Sequence, residues 1–311
     1  MSPTSPTSPT APPVAVTDAR FALAEGPRWD AVTRRLLWVD ILGRACFLGR
    51  LERDRLVVET RHDFDAHVGA AARADDGSLL VATGRRLTTV RPDGTRIAGE
   101  PIGLVGRRDR FNDGVCDARG RFLVGTVSLD GAHRSQRLLQ VGADGVTVLD
   151  DDLGLSNGLG FSPDGATLYS VDSVPGTVWR RDYDHDTGRV GPRTRLLDLS
   201  DRTPDGLAVD EHGRLWIAIH GAGEVHRYDP RGTLAAVVAV PCPHTTSVAF
   251  AGDGLDRLVI TTAFGELSDA ERAAAPLSGS VFVAEPDCRG LPTFAWSGRL
   301  PVPPPRTRRP E

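Results

Sequence analysis

Lysine is absent from this sequence of 311 residues, and all 37 basic residues are arginines. A Schiff-base enzyme needs a lysine amine, and a P-loop needs a lysine at the nucleotide phosphates, so both classes are excluded. The formal net charge is only −4, and the arginines form no basic stripe along the chain. A nucleic-acid partner is therefore not expected.

Long apolar runs and closely spaced cysteines are also missing. No segment approaches the roughly 18 consecutive apolar residues that a membrane-spanning helix requires, so we expect no membrane partner. The four cysteines, Cys46, Cys116, Cys242 and Cys288, lie far apart with no CxxC spacing. This pattern fits neither a disulfide framework nor a zinc ribbon, and it predicts small thiols buried in strands.

Both ends of the chain differ in composition from its middle. The opening sequence, MSPTSPTSPTAPP, carries neither the basic region nor the apolar run of a secretory signal, which favours a cytoplasmic location. We predict a disordered Ser/Pro/Thr-rich tail over residues 1–16 and a disordered Pro/Arg tail over residues 301–311, because neither can bury enough apolar surface to fold. The folded body is expected to span residues 17–300 as one domain.

Between these tails a unit of about 44 residues occurs six times. Each copy opens with one residue, followed by glycine in all but the last, and continues with an apolar run, a turn containing glycine and a second apolar strand. The copies begin at Glu25, Val68, Asp113, Asn157, Asp205 and Ser247. Short strands and hairpin turns at this period predict an all-β fold, a six-bladed β-propeller with a central channel. Only residues 268–275 indicate a helical insertion.

The repeat register brings oxygen donors together. The first strand of each propeller blade lines the channel, so the residues that open the six copies should surround one mouth of it. Glu25, Asp113 and Asp205 are carboxylates, and Asn157 is an amide. Crowded carboxylates are costly unless a cation neutralises them, and hard oxygen donors suit calcium, magnesium or manganese. The alternative is a set of carboxylates solvated by ordered water, since Asp-Gly and Asn-Gly are also common hairpin dipeptides.

Five segments, in order along the chain, resemble one known family: LAEGPRWD, RRLLWVDILGR, RFNDGVCDARGRFLVGT, SNGLGFSPDGATLYSVDS and PDGLAVDEHGRLWIAIHGAGEVHRYDP. The resemblance is to the SMP-30/gluconolactonase/luciferin-regenerating-enzyme family, also called regucalcin-like, and it covers residues 24–296. It implies a propeller that holds one divalent cation at the channel mouth, usually for the hydrolysis of a sugar lactone. Calcium is the first expectation for the cation, with zinc, magnesium and manganese as alternatives.

Matched residue by residue, the resemblance implies metal ligands at Glu25, Asn157 and Asp205. It also implies substrate contacts at Arg110 and Asn112, from the segment RFNDG. Asp205 could act in addition as the general base toward the attacking water. Arg110 could stabilise the charge that develops on a carbonyl oxygen.

Three further features bear on the substrate. Asp130 stands where family members often carry an acidic residue that we expect to contact substrate, and His220 stands where they usually have an aromatic one. His220 could contact substrate or merely replace ring packing. The segment 127–138 lacks the Gly-Ala/Ser-Leu-Tyr that usually opens the next strand, which leaves the substrate open.

The leading hypothesis is therefore a metal-dependent lactonase, a monomer or small homo-oligomer acting on a small-molecule lactone or ester. One alternative keeps the same site but acts on a non-sugar ester or a secondary metabolite. The other is a calcium-binding propeller without catalysis.

Overall fold

The computed structural model describes residues 11–131 and 134–300, and it confirms the predicted all-β fold with six blades. Each blade is one four-stranded antiparallel sheet. A short N-terminal strand and the strands of the first three blades are β1 (Val14–Ala15), β2 (Ala24–Asp30), β3 (Arg35–Asp40), β4 (Ala45–Leu51), β5 (Leu56–Asp63), β6 (Val68–Arg73), β7 (Leu79–Thr83), β8 (Arg86–Val90), β9 (Arg96–Ala98), β10 (Asp109–Cys116), β11 (Phe122–Ser128), β12 (Gln136–Gly142) and β13 (Gly145–Leu153). The strands of the last three blades are β14 (Ser156–Phe161), β15 (Thr167–Asp172), β16 (Thr177–Asp182), β17 (Thr194–Asp198), β18 (Thr203–Val209), β19 (Leu215–His220), β20 (Glu224–Tyr228), β21 (Leu234–Ala239), β22 (Thr245–Ala251), β23 (Arg257–Thr262) and β24 (Phe282–Ala284).

Tight Asp-Gly turns join consecutive strands within the blades. The carboxylates of Asp76, Asp93 and Asp164 each accept a hydrogen bond from the backbone N–H two residues further on, at 2.8, 2.8 and 3.1 Å. The glycine after the first of these, Gly77, has a φ of 86°, a conformation that residues with a Cβ adopt only under strain. The turn residues therefore specify the hairpins locally, before any packing between blades.

The sixth blade takes its strands from both ends of the described chain. Strands β22, β23 and β24 come from the C-terminal part, and β1 completes the sheet by pairing Val14 with Val283 and Ala15 with Phe282. Residues 14 and 15 therefore belong to the propeller, although the sequence analysis assigned them to a tail. They are ordered because the outer edge of the sixth sheet offers them backbone partners. Residues 1–10 and 301–311, which make up most of the two predicted tails, lie outside the described residues.

Apolar side chains fill the spaces between neighbouring blades. Between the first and sixth blades, Trp38 stacks on Phe47 with ring centroids 5.3 Å apart, and Phe21 meets both rings edge-on. Between the fifth and sixth blades, Trp216 and Phe250 meet edge to face at 5.8 Å. The core is thus a series of interfaces between blades rather than one central cluster, which leaves the axis to polar groups.

All four cysteines are buried and free. Cys46 and Cys116 lie in β4 and β10 as predicted, whereas Cys242 and Cys288 are buried outside the strands. Burial raises the pKa of Cys46 to about 12 and that of Cys242 to about 11. These thiols carry almost no thiolate near neutral pH, so they act as small apolar side chains.

The innermost strands form a closed ring around the propeller axis, because each contacts the next and the last contacts the first. They are β2, β6, β10, β14, β18 and β22. In every blade a β-bulge interrupts the pairing of this strand with its neighbour. Bulges re-aim side chains and are common beside functional sites. The repeat register of the sequence corresponds to this recurring bulge.

The predicted helical insertion is confirmed between β23 and β24. Helix α1 (Asp269–Ala274) begins at a capping box, in which Ser268 and Glu271 exchange hydrogen bonds between side chain and backbone. None of its residues is buried, so it adds nothing to the core. Across residues 11–131 and 134–300, no helix has the length and apolar character needed to cross a membrane.

Candidate metal centre and active site

The recurring bulges contain or adjoin the predicted site residues. Asn112 and Asp113 lie in the bulge of β10, Asn157 in that of β14 and Asp205 in that of β18, while Glu25 adjoins the bulge of β2. All five side chains are at most 6% exposed. Five polar residues from four blades are thus withdrawn from solvent at the innermost strands.

Glycine follows these residues because the neighbouring blade packs directly against the bulge. A Cβ at Gly158 would lie 2.4 Å from the carbonyl oxygen of Asp205, and one at Gly206 would lie 2.0 Å from Ser247 Oγ. Either contact is far inside van der Waals distance, so a larger residue would push two blades apart. The Asn-Gly and Asp-Gly pairs of the ring are therefore required by packing between blades and not by a turn.

Glu25 and Asp205 are buried carboxylates, the charge of Glu25 acts on Asp205, and the charge of Asp113 acts on both. Burial raises the pKa of Glu25 to about 8, and the negative charge of Asp113 adds to the shift. The pKa of Asp205 lies well above its usual range because of burial first, and then because of the charges of Glu25 and Asp113. Without a cation, this pair holds at least one proton near neutral pH.

Asp113 differs from this pair because it has a cation of its own. Arg28 Nη2 lies 3.2 Å from Asp113 Oδ1, and the backbone N–H of Gly114 donates to the same oxygen at 2.7 Å. Burial raises the pKa of Asp113, while the charge of Arg28 lowers it. Arg28 therefore compensates Asp113, whereas Glu25 and Asp205 have no ion-pair partner among the described residues. The charges of Arg28 and Arg110 only partly offset the raised pKa of Glu25.

A divalent cation fits the donor set of Glu25, Asn157 and Asp205. These side chains offer carboxylate and amide oxygens, which calcium, magnesium and manganese prefer. Asp205 Oδ1 is buried with no hydrogen-bond partner among the described residues, as is Asp113 Oδ2. A cation would give the Asp205 oxygen a partner and would offset the burial and the repulsion that together raise the pKa values of both carboxylates.

A chain of hydrogen bonds orients Asn157. Asn112 Nδ2 donates to Asn157 Oδ1 at 3.2 Å and to the carbonyl oxygen of Ser156 at 3.1 Å. Asn157 Nδ2 in turn donates to Ser173 Oγ at 3.2 Å, and this hydroxyl donates to the carbonyl oxygen of Pro204 at 2.6 Å. Asn112 was predicted to contact substrate; the structure adds that it holds the amide of Asn157 in place.

Arg110 is a buried arginine next to these amides. Its Nη1 donates to Asn112 Oδ1 and to the carbonyl oxygen of Phe111, both at 2.8 Å, while its Nε is buried with no partner among the described residues. Burial lowers the pKa of Arg110 to about 10, and the charges of Glu25 and Glu266 oppose this shift. Arg110 therefore stays protonated near neutral pH, with donors left over for a ligand.

Asp130 lies apart from the other predicted residues. It follows the end of β11, has a side chain that is 43% exposed, and pairs with Arg108 at 3.1 Å. Its described contacts do not include Arg110 or the bulge residues. The substrate contact at Asp130 stays a prediction.

His220 belongs to a cluster that sequence reasoning did not find. Its ring stacks on His244 with centroids 4.3 Å apart, and its Nε2 lies 3.6 Å from Glu266 Oε2. Burial lowers the pKa of His220, and His244 lowers it further. The charge of Glu266 also acts on Asp205 and Arg110, so the cluster lies close to the bulge residues. His244 falls three residues before the register position of the last copy, and Glu266 precedes the helical insertion; neither fits the repeat pattern.

The chain is therefore a six-bladed propeller with buried oxygen donors on its innermost strands. Among such propellers, the chain belongs to the SMP-30/Gluconolactonase/LRE-like family, whose model matches residues 23–264. The family resemblance described from the sequence is therefore confirmed.

Known relatives match this chain over nearly their whole length. Pentonolactonase XacC of Haloferax volcanii is 35% identical over 296 residues, which cover 92% of this chain and 98% of the relative. Regucalcin of Gallus gallus is 30% identical over 292 residues, which cover 90% and 96%. The crystal structure of a calcium-binding protein, regucalcin, from Agrobacterium tumefaciens is similar with a TM-score of 0.87 and 28% identity, covering 94% of this chain and 99% of that one.

Proposed function

We propose that this protein is a divalent-metal-dependent hydrolase that opens the ring of a sugar lactone. The proposal rests on Glu25 and Asp205, two buried carboxylates in contact, for which the described residues supply no ion-pair partner. Such a pair is expensive to bury unless it serves to bind a cation or move a proton. Membership of the family and the relative named pentonolactonase support a lactone as the substrate class.

The cation would be held by Glu25, Asn157 and Asp205. When bound, a divalent cation polarises the lactone carbonyl and lowers the pKa of the attacking water. The all-oxygen donor set favours calcium, and it also accepts magnesium, manganese or zinc. Asn112 would keep the oxygen of Asn157, rather than its NH₂ group, available for this role.

Asp205 would act as the general base. A carboxylate oxygen of Asp205 that does not hold the cation would accept a proton from water as the water oxygen attacks the carbonyl carbon. The bond from this carbon to the ring oxygen then breaks, and the proton passes to the departing ring oxygen, which becomes a hydroxyl. The product is an open-chain hydroxy acid, which ionises near neutral pH.

Arg110 would stabilise the negative charge that develops on the carbonyl oxygen. A guanidinium that is already buried needs no further desolvation when substrate binds, which makes its charge effective at this point. Two of its hydrogen bonds fix its orientation, so its remaining N–H groups can point at a ligand. His220 lies at the edge of the same region, and its contact with substrate stays a prediction.

A pH-indicator assay of lactone opening tests the proposal. Protein stripped with EDTA is offered five- and six-membered sugar lactones, and calcium, magnesium, manganese and zinc are added back singly. We expect no turnover in the stripped protein, restored turnover with at least one cation, and loss of this turnover in Asp205→Ala. Asp93→Ala, an aspartate in a hairpin turn, is the matched control and should remain active.

Turnover that survives both EDTA and the Asp205 substitution would overturn the proposed mechanism. If a cation binds tightly while every sugar lactone stays closed, the hydrolysis of sugar lactones is wrong. Non-sugar esters and secondary metabolites are then the next panel, and the cluster at His220, which departs from the family pattern, favours testing them.

The second candidate function is a calcium-binding propeller without catalysis. It is favoured by the similar Agrobacterium structure, which is of a calcium-binding protein. Isothermal titration with calcium separates the two candidates. Tight binding that is lost in Glu25→Gln, together with no hydrolysis of any ester in the panel, supports this second function.

A further inference from the structure

We propose that His220, His244 and Glu266 form a second metal site, suited to a transition-metal ion such as Zn²⁺ and separate from the oxygen-donor set of Glu25, Asn157 and Asp205. One ligand atom from each of the three residues lies within 4.8 Å of the other two. Among the described residues, this is the one group of three histidine, cysteine or acidic side chains with that geometry. The proposal does not depend on lactone hydrolysis.

The backbone holds the two histidines at neighbouring positions of the fifth and sixth blades. His220 is the last residue of β19, and His244 immediately precedes β22. The two residues form an isolated antiparallel bridge with each other, and the N–H of Ala263 donates to the carbonyl oxygen of His244 at 3.0 Å. Their proximity is therefore set by the packing of two blades and not by flexible side chains alone.

The third residue is carried on a tight turn after β23. The N–H of Gly265 donates to the carbonyl oxygen of Ala22 at 2.8 Å, and the N–H of Leu267 donates to that of Phe264 at 3.1 Å. The first bond holds the turn against the segment that leads into the first blade, and the second closes the turn around Glu266. The Glu266 side chain, 54% exposed, can still turn between solvent and the histidines. The turn thus supplies a movable carboxylate beside two histidines whose backbones are held by the packing of the blades.

The donor chemistry differs from that of the oxygen set. Two imidazole nitrogens and one carboxylate are typical of zinc and of other transition metals, and three protein ligands leave a coordination position open for water or substrate. Calcium prefers oxygen donors and is not expected to compete here. In a tetrahedral zinc site each ligand atom is about 2.1 Å from the metal, so the ligand atoms lie about 3.4 Å from one another. The three ligand atoms here lie within 4.8 Å of one another, so the side chains must rotate for them to converge on one ion.

The histidine rings have unused capacity for a ligand. His244 Nδ1 is buried with no hydrogen-bond partner among the described residues. A buried ring nitrogen without a partner costs free energy, which a metal ion would recover. The rings are stacked at an interplanar angle of 23°, and a metal binds in the plane of each ring. Binding therefore requires the rings to turn until their lone pairs converge.

The surrounding charges favour a cation on balance. Glu266 provides a negative charge within the cluster, and Asp205 and Glu271 are near enough to interact with Glu266 and His244 respectively. Arg110 also interacts electrostatically with Glu266, and it provides the opposing positive charge. Even with the charge of Asp205 taken up by a proton or a cation, the carboxylates of Glu266 and Glu271 outweigh the one guanidinium, which favours a divalent ion.

Cobalt(II) is the probe for this site, because Co²⁺ with nitrogen ligands in a four-coordinate site absorbs visible light far more strongly than octahedral Co²⁺ with oxygen ligands. The protein is prepared without a histidine tag, stripped with EDTA and saturated with calcium to fill the oxygen set. Titration with Co²⁺ should give a strong visible band that saturates at one equivalent per chain, and Zn²⁺ should displace it. In His244→Ala and in Glu266→Gln, the apparent affinity for Co²⁺ measured from this band should be at least tenfold lower.

The matched control is His212→Ala. His212 is an exposed histidine 3.8 Å from Glu211. Like the histidines of the cluster it has a neighbouring carboxylate, but a metal site would be incomplete there because no second histidine among the described residues pairs with it. The substitution should leave the Co²⁺ titration unchanged. Glu266→Gln is included because its side chain is exposed, so the substitution should not disturb the fold. Calcium titration checks this, since the variant should bind calcium with the same stoichiometry as the wild type.

Three outcomes would overturn the proposal. The first is the absence of a visible band in the wild type. The second is a band that persists with unchanged affinity in both cluster variants, which would mean that Co²⁺ binds elsewhere. The third is loss of the band in Asp205→Asn with the cluster intact, which would assign the signal to the oxygen set. If the cluster binds no metal but the variants raise KM for a lactone, the histidines are substrate contacts instead.

Discussion

Aspartate–glycine pairs occur in two regions of the propeller, at hairpin turns and in the bulges of the innermost strands. At the turns, Asp93 and Asp164 are exposed, and hydrogen bonds from groups two residues away lower the pKa values of their carboxyls. In the bulges, Asp113 and Asp205 are buried, and burial raises their pKa values. The same dipeptide therefore has opposite electrostatics in the two regions, because one carboxylate is satisfied by its own turn and the other must be satisfied from outside its blade.

The largest expected effect is a difference in kcat between a substitution in a bulge and the same substitution in a turn. Asp205→Asn keeps the volume of the side chain but removes its charge and basicity, so we expect kcat for the best lactone to fall about a thousandfold. Asp164→Asn, the matched change at a turn, should leave kcat nearly unchanged because it alters only a surface hydrogen bond. Steady-state assays with the restored cation measure both. An equal fall in kcat in the two variants would contradict the proposed functional difference between bulges and turns.

The next effect concerns how buried and exposed carboxylates are neutralised. Arg28→Gln leaves Asp113 buried without its cation, so we expect the free energy of unfolding to fall by about 3 kcal/mol. Arg34 pairs with Asp253 where both side chains are more than 60% exposed, and Arg34→Gln should cost less than about 0.5 kcal/mol. Urea unfolding compares them. The double variant Arg28→Gln/Asp113→Asn should regain part of the loss, and a failure to do so contradicts the assignment.

Glycines distinguish the two regions by packing. Gly158→Ala places a Cβ 2.4 Å from a carbonyl oxygen of the next blade, and we expect overpacking to cost about 2 kcal/mol. Gly165, in a hairpin turn, has a φ of 70° and no atom within 4 Å of a Cβ, so Gly165→Ala should cost about 1 kcal/mol of backbone strain alone. Only the first variant should also weaken calcium binding. If both lower calcium affinity equally, the bulge glycine has no special relation to the site.

The smallest effect is a pH dependence of the metal-free protein. The folded pKa of Glu25, about 8, exceeds its ordinary value of 4.5, so the folded state binds more protons than the unfolded chain between these values. Unfolding free energy should then fall as pH rises, by about 1 kcal/mol from pH 6.5 to 7.5. Scanning fluorimetry in EDTA should show the Tm falling by a few degrees, and calcium should abolish the slope.

The turn aspartates cannot produce this slope. Their lowered pKa values stabilise the folded state only as pH rises through the acid range, below about pH 4, so they titrate with the opposite sign and outside the window. A Tm that does not change between pH 6.5 and 7.5 in EDTA would mean that Glu25 is ionised in the metal-free protein.

The six blades and the set of Glu25, Asp113, Asn157 and Asp205 could be predicted from the sequence, because one repeating unit places equivalent residues at one level of the fold. The last copy was less regular. Ser247 was aligned with the ring, but the residue in the bulge is Thr246, whose hydroxyl donates to the carbonyl oxygen of Ala24 at 2.6 Å. The last copy lacks the glycine that aligns the other copies. Its alignment was therefore off by one residue, and nothing in the neighbouring sequence indicates the error.

Contacts outside the repeat could not be predicted. His244 and Glu266 meet His220 only because two blades and a turn pack together, and neither residue occupies a repeated position. The short strand β1 has two residues, too few for any periodicity, and its ordering depends on the far end of the sixth blade. Asp130 could be aligned by its distance from a motif, but the path of the loop that follows β11 decides what it contacts.

The pairing of β1 with β24 has a consequence for the time at which the protein can fold. Val14 emerges from the ribosome about 270 residues before Val283, its partner, and at roughly 5 to 20 residues per second this is a wait of about 15 to 50 s. Five blades can assemble from consecutive hairpins as they are synthesised, whereas the sixth must wait for the last strand. During this interval the first and fifth blades expose the faces that later pack against the sixth, and chaperones have their longest opportunity to bind the nascent chain.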